Sequence, residues 1–432
     1  MKYFLIFSIS LLSSFLLWGG IHTAPIVIPA KTVRPIEYHQ ISKYRVFQTD
    51  FSGTAVAIPF QIDERDRFSD FVLDQGPLPN RQFGNGLFDG EDELSFMGDD
   101  VGQVRVPTKW TVPKPQLLYE IKLEHAGKQG AVYVGIYDHT PPPLSPKHYV
   151  DYHMTESEIR TSNYQYFFNP KNYLVVRGVS VINHEKKTAP LILTSTFYLK
   201  LDLKYFLTFQ LNQEDVVSSL EAYKIGPIRV LARVVFSYKF LKINFDLGMY
   251  TEVSFFANSI VLPAVIDNPF SGKKTLNEGS LFYYGFSAVK NPKDLKITTN
   301  MPMYKEGSML DFFAKAPPAA PTYWLTALDP TYMIFMQIDL SAEMLKSKTL
   351  PMLYVEKEAG AQVSNRPYKA QPLGKSPVNV AVALDMSTLD IGSHTVSFQL
   401  FVDNTPSAAT LESFKTINAW QISAHRLLPN QW

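Results

Sequence analysis

The chain has 432 residues, with 41 basic and 40 acidic side chains and a formal net charge of +1 at pH 7. This balance argues against a global field for nucleic acid binding and against a polybasic membrane patch. The length allows two or three domains, each with its own apolar core. Aromatic residues make up 13% of the chain, and 30 residues are proline, which favours β-structure joined by proline-marked loops.

The first 24 residues have the layout of a secretory signal. Lys2 precedes an almost unbroken apolar run over residues 3–17, as in the hydrophobic region of a signal peptide. The cleavage site is poor, because His22 stands where a small residue is preferred and Pro25 follows Ala24. An uncleaved membrane anchor is therefore the alternative. We expect an exported protein that touches a membrane only through this segment, if at all.

The sequence contains no cysteine. An exported chain without cysteine has no disulfide framework, and it cannot carry the lipidated N-terminal cysteine of a lipoprotein. Its stability must come from a large apolar core. The periplasm or bacterial cell envelope suits such a chain better than the role of a small disulfide-rich secreted module.

The most distinctive sequence is residues 83–96 together with residues 58–64, and the net charge between Asp63 and Asp100 is −8. Gly84, Asn85, Gly86 and Gly90 mark tight turns there, because these residues accept positive φ at little steric cost. The alternation of polar and apolar residues over 93–96 then predicts a strand with one buried face. The sequence thus predicts a rigid acidic turn that leads into a half-buried strand.

Three interpretations of this acidic loop stay open. A calcium site is one, because a hard cation prefers several carboxylate and carbonyl oxygens on a sharply turned backbone; its candidate ligands are Asn85, Asp89, Asp92 and Glu93. The EF-hand template fails, however, since Phe96 falls where a bidentate Glu belongs. A second is a paired acid and base drawn from Asp63, Glu64, Asp89, Asp92 and Glu93. The third is a solvated loop whose carboxylates accept backbone N–H bonds. We expect no cofactor, with calcium as the alternative at this loop.

The central region has two long period-two patterns. Apolar residues occupy every odd position over 197–211 and every even position over 228–240. This predicts two adjacent, long antiparallel strands in one large sheet. The polar face shared by both strands supplies the predicted ligand-binding residues, which are Tyr198, Lys200, Lys204, Arg229 and Arg233. Such a face either binds an acidic sugar polymer or is an ordinary solvated surface.

The pattern predicts an all-β fold of two or three packed antiparallel sandwiches. Prolines at 141–143 and 146 mark a first boundary, and a Pro/Ala-rich stretch over 316–321 marks a second stiff break. We divide the chain into residues 1–24, 25–150, 151–345 and 346–432. The last segment alternates after Gly392 like the closing strands of immunoglobulin-like sandwiches. It either forms a small domain or completes the central sandwich.

Three short motifs carry a family likeness. They are Pro59-Phe60-Gln61-Ile62-Asp63-Glu64, the stretch from Asn85 to Phe96, and Gly226-Pro227-Ile228-Arg229-Val230. Together they resemble a loose group of exported, largely uncharacterised bacterial β-sandwich proteins, some of which are associated with polysaccharide breakdown. The resemblance implies a carbohydrate-related role in the envelope, and it brings no established catalytic residues with it.

Common enzyme signatures are absent from the sequence. There is no Gly-x-Ser-x-Gly elbow, His-Glu-x-x-His motif, P-loop or Rossmann fingerprint. Polysaccharide lyases and glycosidases stay open, because their catalytic residues come from scattered strands. We therefore expect an envelope protein that binds a polysaccharide, another ligand or an envelope protein without catalysis. The alternatives are a carbohydrate-active enzyme and a structural scaffold of the envelope.

Overall fold

A computed structural model describes most of the chain after residue 23. The described residues are 24–125, 127–183, 185–204, 207–212, 215–240, 243–268, 271–278, 280–288, 296–301, 322–329, 332–347, 351–356, 378–404 and 420–432. The predicted signal segment, apart from Ala24, lies outside them. No helix in these ranges has the length and apolar character needed to cross a bilayer.

The described elements are almost all strands. In the N-terminal part these are β1 (Pro25–Pro29), β2 (Tyr44–Thr49), β3 (Thr54–Ala57), β4 (Gln61–Asp63), β5 (Glu93–Met97), β6 (Lys109–Trp110), β7 (Leu117–His125) and β8 (Lys128–Ile136). The central part contains β9 (Val150–His153), β10 (Glu158–Thr161), β11 (Tyr164–Phe168), β12 (Val176–Ile182), β13 (Thr188–Leu203), β14 (Leu207–Asn212), β15 (Val216–Ile225), β16 (Arg229–Phe240), β17 (Ile243–Phe256), β18 (Ser259–Asn268) and β19 (Leu281–Ala288).

The remaining strands are β20 (Lys296–Thr299), β21 (Thr322–Asp329), β22 (Tyr332–Leu340), β23 (Pro351–Glu356), β24 (Val378–Asp385), β25 (Gly392–Asp403) and β26 (Gln421–Leu427). Two short α-helices are described, α1 (Gly272–Thr275) and α2 (Ala342–Ser347). Short 3₁₀ helices lie at Ala30–Thr32, Arg34–Ile36, Ile41–Lys43, Arg81–Phe83, Gly98–Asp100, Met386–Thr388 and Pro429–Gln431. The predicted all-β class is confirmed.

An N-terminal sandwich is built from two sheets. One has the strand order β1-β5-β4 and the other the order β26-β7-β8-β2-β3-β6. Apolar residues of both sheets share one core, in which Ile28, Leu94 and Phe96 face Val46 and Val134. Among the described strand pairs only β3–β6 is parallel. Alternating apolar side chains on each strand account for this packing, because successive side chains point to opposite faces.

A larger central sandwich follows. Its first sheet has the order β23-β24-β19-β13-β12-β11-β10-β9, with β14 paired to β13, and its second has the order β15-β16-β17-β18-β25-β22-β21-β20. The inner faces of the two sheets form the main core. Tyr164 lies wholly inside it, and its hydroxyl shares its one proton between the carbonyls of Phe256 at 2.9 Å and Ser259 at 3.2 Å. This bond ties the first sheet to the turn between β17 and β18.

The predicted pairing of residues 197–211 with 228–241 is wrong. The first run is not one strand, because Leu203 pairs with Leu207 and the chain folds back as the hairpin β13–β14. The second run is β16, which lies in the opposite sheet between β15 and β17. A period-two pattern specifies which side chains share a face of one strand, but it does not specify the neighbouring strand.

The strands of residues 346–432 are distributed over three sheets. β23 and β24 extend the nine-stranded sheet beside β19, and β25 lies between β18 and β22 in the eight-stranded sheet. β26 joins β7 in the N-terminal sandwich. The described strands therefore complete the existing sandwiches and do not form an immunoglobulin-like sandwich of their own. The domain boundaries themselves stay a prediction, although the chain passes from one sandwich to the other between β8 and β9.

The N-terminal sandwich lies on the outer face of the eight-stranded sheet. Ala24 packs on Phe335 and Phe401 of that face, and the β1 residue Val27 packs against Phe256. The N-terminal strands thus cover part of a sheet face that would otherwise be exposed to solvent. A cleft remains where the cover is incomplete.

Candidate ligand-binding cleft

The junction cleft lies between β1 and the outer face of the eight-stranded sheet, and it has a volume of about 370 Å³. Its lining residues come from both sandwiches. They are Pro25, Ile26, Val27, Arg65, Phe71, Glu93, Arg229, Glu252, Ser254, Phe256, Val261, Pro263, Gln399, Trp420 and Ile422. A concave site of this size with a few convergent polar groups is the usual form of a small-ligand site.

The floor of the cleft forms where β17 and β18 separate. These strands pair only at Ser254↔Val261 and at the next position beside their turn. Pro263 in β18 has no N–H to offer a ladder, and its carbonyl accepts a hydrogen bond from the Thr251 hydroxyl. Alternation along β17 then directs Glu252 and Ser254 to the same outer face.

One wall of the cleft is a buried ion-pair network around Arg229. Its guanidinium bonds to Asp63 at 2.8 Å and to Glu93 at 2.7 Å, and Asp63 also binds Lys224 at 2.8 Å. The Gln61 side-chain oxygen accepts the backbone N–H of Arg229 at 3.0 Å, while its amide donates to Asp63. This network joins β4 and β5 of the N-terminal sandwich to β15 and β16 of the central one.

The same contacts bring together the three motifs that carry the family likeness. Gln61 and Asp63 belong to the first motif, Glu93 to the second and Arg229 to the third. Gly226 in the third motif is required for this approach, because a Cβ there would stand 1.9 Å from the Gln61 side-chain oxygen. The motifs therefore specify the junction between the two sandwiches.

A second set of ion pairs crosses the cleft through Arg65. Arg65 binds Glu93 at 2.6 Å, and its other terminal nitrogen lies 3.9 Å from Glu252. Glu252 is held mainly by Arg233 at 2.7 Å and by the backbone N–H of Phe71 at 3.1 Å. Each carboxylate that lines the cleft thus has two or more donors from this chain.

Burial and paired charges set the protonation of these groups. Burial alone would raise the pKa of Asp63, but the positive charges of Arg229 and Lys224 overcome that effect and lower its pKa to about 2. Burial raises the pKa of Glu252, despite the bonds that it accepts from Arg233. The carboxylate of Asp63 is therefore a fixed negative charge, whereas Glu252 is easier to protonate than an exposed glutamate.

Aromatic rings supply the apolar part of the cleft. The Arg65 guanidinium lies 3.7 Å from the Phe71 ring centroid, and that of Arg229 lies 4.9 Å from the same ring. Trp420 contributes a half-buried indole, which contacts the ring of His125 with 4.9 Å between centroids. Arginines packed on a ring are held in place, so the walls of the cleft are preorganised.

Two polar side chains in the cleft have no hydrogen-bond partner in the part of the chain that the structure describes. They are the hydroxyl of Ser254 on β17 and the amide of Gln399 on β25. Val261 lies between them in the strand order, since it pairs with Ser254 on one side and with Gln399 on the other. Both groups are neutral, and each can donate and accept a hydrogen bond.

The predicted ligand-binding residues do not share one surface. Arg229 and Arg233 lie on the outer face of the eight-stranded sheet, where they are buried and paired with carboxylates. Lys200 and Lys204 lie on β13 and the turn after it, in the opposite sheet, and Tyr198 on β13 is only 2% exposed. The structure does not bring these five residues together, because the two strands belong to different sheets. Ligand binding by any one of them stays a prediction.

The predicted calcium ligands make contacts within the loop. Asn85 donates to Asp89 at 3.0 Å, and Asp92 accepts the backbone N–H groups of Asp89 and Arg65. Glu93 points to Arg65 and Arg229 instead. Within the described residues, no group of three or more His, Asp or Glu side chains is arranged to hold a metal ion. Calcium binding by this loop stays a prediction.

Sequence reasoning missed several cleft residues. Arg65, Glu252, Ser254, Gln399 and Trp420 come from separate segments, and only the alternation along β17 gave a signal that Glu252 and Ser254 share a face. Trp420 reaches the cleft because β26 pairs with β7 at the edge of the N-terminal sandwich. That pairing joins positions about 300 residues apart, which no local pattern predicts.

No protein-family model matches the chain, and no curated protein matches it. An α-mannosidase from Enterococcus faecalis V583 matches in structure with 9% identity and a TM-score of 0.42, over 95% of this chain and 45% of that one. A protein in the glycosyl hydrolase family 38 from Enterococcus faecalis matches with 7% identity and a TM-score of 0.39, over 94% of this chain and 46% of that one. The chain spans less than half the length of either protein. Similarity of this extent says nothing about the ligand or the reaction of this chain.

Proposed function

We propose that this chain is an exported β-sandwich protein that binds a saccharide in the junction cleft without transforming it. The observation that carries the proposal is the combination of the Trp420 indole with the unpartnered Ser254 hydroxyl and Gln399 amide in one cleft. A sugar presents an apolar ring face edged by hydroxyl groups, so it fits an aromatic surface beside neutral hydrogen-bonding groups. Export is supported by the N-terminal apolar run over residues 3–17.

Binding without catalysis is favoured by the state of the cleft carboxylates. Glu93 accepts hydrogen bonds from Arg65 and Arg229, and Glu252 accepts them from Arg233 and a backbone N–H. A general acid or base must exchange a proton with the substrate at the operating pH. Carboxylates that are fixed as acceptors by arginines suit a structural and positioning role better.

The test is a glycan-array screen of the full chain, followed by calorimetric titration of each hit. We expect Trp420→Ala to remove binding, because it deletes the stacking surface. Trp432→Ala is the matched control, since Trp432 packs on Trp110 outside the cleft. Unchanged melting temperature in Trp420→Ala would separate loss of the site from loss of the fold. Sugar binding that survives Trp420→Ala, or no binding to any glycan, would refute the proposal.

The enzyme alternative is favoured by one observation. Glu93 and Glu252 reach the cleft from different sheets, and burial raises the pKa of Glu252, as a general acid requires. Each glycan hit is therefore incubated with the chain and assayed for new reducing ends or unsaturated sugars. Product formation that disappears in Glu252→Gln would replace the binding proposal with a carbohydrate-active enzyme.

A further inference from the structure

The charged groups of the junction cleft balance one another. Arg65 and Arg229 contribute two positive charges to its lining, and Glu93 and Glu252 contribute two negative ones. Both arginines are already paired with carboxylates, at 2.6 Å for Arg65–Glu93 and 2.7 Å for Arg229–Glu93. An anionic ligand would therefore compete with carboxylates that already neutralise both arginines, and it would add a negative charge to a cleft whose charges are balanced.

The groups that are free to bind a ligand are neutral. Ser254 is 6% exposed and lies on the floor of the cleft, and Gln399 lies two strands away from it across Val261. Both side chains line the cleft, so a ligand can hydrogen-bond to them without displacing a partner from this chain. A hydroxyl and an amide match the hydroxyl groups of an uncharged sugar, and neither has the charge that recognises a carboxylate or sulfate.

The volume limits how much of a sugar chain enters. Ligand sites typically enclose about 300–1,000 Å³, and the junction cleft, at about 370 Å³, lies near the lower limit. One or two rings fit such a space, whereas a long polymer needs an extended groove. Pro25 and Ile26 of β1 line the cleft opposite the sheet and restrict its width.

We infer that the ligand of the junction cleft is a short uncharged saccharide, either free or at the end of a longer chain, and not an acidic polysaccharide. This inference rests on the proposed function and specifies its ligand class. It differs from the expectation drawn from the sequence, in which the arginines on β16 recognise an acidic polymer. Those arginines hold the two sandwiches together instead.

The experiment compares matched pairs of probes by calorimetric titration of the full chain. The neutral probes are glucose, galactose, cellobiose and maltose, and the acidic ones are glucuronic and galacturonic acid. We expect neutral sugars to bind on the order of tenfold tighter or more, with an affinity that does not change between low and high salt. Ser254→Ala and Gln399→Ala should each weaken neutral binding.

A charge variant makes the test sharper. Glu252→Gln removes one negative charge and leaves the cleft with an excess of one positive charge, so it should shift the preference toward glucuronic acid. Glu91→Gln is the control, because Glu91 pairs with Lys31 on an exposed surface and lies outside the cleft. Tighter binding of acidic sugars by the unmodified chain would overturn the inference and leave the proposed function intact. Equal affinity for the neutral and the acidic sugars would also overturn it. Absence of any sugar binding, or binding unaffected by Trp420→Ala, would refute the proposed function itself.

Discussion

Two strands of this protein carry basic side chains in similar alternating patterns, and their surroundings are opposite. Arg229 and Arg233 on β16 are 3% and 8% exposed and paired with carboxylates, because the N-terminal sandwich covers their face of the sheet. In the other sheet, Lys204 directly follows β13. Its side chain is exposed and donates to the Lys273 carbonyl at 2.5 Å. The comparison teaches that the covering layer decides whether a polar strand face becomes a solvated surface or an interface.

The acidic residues of the stretch 63–100 follow the same principle. Asp63 and Glu93 belong to the most negatively charged stretch of the chain, yet each is paired with Arg229 inside the molecule. Lys31 and Glu91, by contrast, form an exposed pair with half of each side chain accessible to solvent. Exposed pairs contribute little to stability, whereas removing one partner of a buried pair is costly.

The largest effect is expected from Arg229→Met. Removal of this guanidinium leaves Asp63 with only Lys224 as a charged partner and deprives Glu93 of one donor. We expect a loss of about 3–5 kcal/mol in the free energy of unfolding, measured by urea denaturation with fluorescence and circular dichroism. The double variant Arg229→Met, Asp63→Asn should recover part of this loss, because it removes the uncompensated charge. Equal stability of Arg229→Met and the unmodified chain would mean that the network does not hold the junction.

A second, smaller effect is the pH dependence of Asp63. The pKa of Asp63 in the folded chain is about 2, below the ordinary value of 3.8. Its stabilising contribution is therefore complete above about pH 4 and is lost as the pH falls toward 2, with a magnitude of about 2 kcal/mol. The difference in unfolding free energy between the unmodified chain and Asp63→Asn should be constant from pH 7 to about 4 and shrink below that. A difference that grows on acidification would contradict the paired state of Asp63.

The fold class could be predicted from the sequence because period-two alternation is a local property. The strand after the acidic loop and the strand at residues 228–241 were both visible in this way, and they are β5 and β16. The neighbour of each strand could not be predicted in this way. Leu203 and Leu207 close the β13–β14 hairpin within an uninterrupted alternating run, and β16 pairs with β15 and β17 instead of β13. Arg229 and Asp63 are 166 positions apart, so the sequence could place Arg229 on a strand and Asp63 in an acidic stretch but could not predict their contact.

The smallest effect is expected from Lys204→Met. This substitution replaces an exposed cation with methionine, as Arg229→Met does for a buried one. Lys204 has no carboxylate partner among the described residues and donates to a single carbonyl, so its removal leaves no charge uncompensated. We expect the free energy of unfolding to change by less than about 0.5 kcal/mol, under the denaturation conditions used for Arg229→Met. Lys31→Met, which breaks an exposed pair, is the matched control and should give a change of similar size. A loss at Lys204 comparable to that at Arg229 would mean that a second layer also covers the outer face of the nine-stranded sheet.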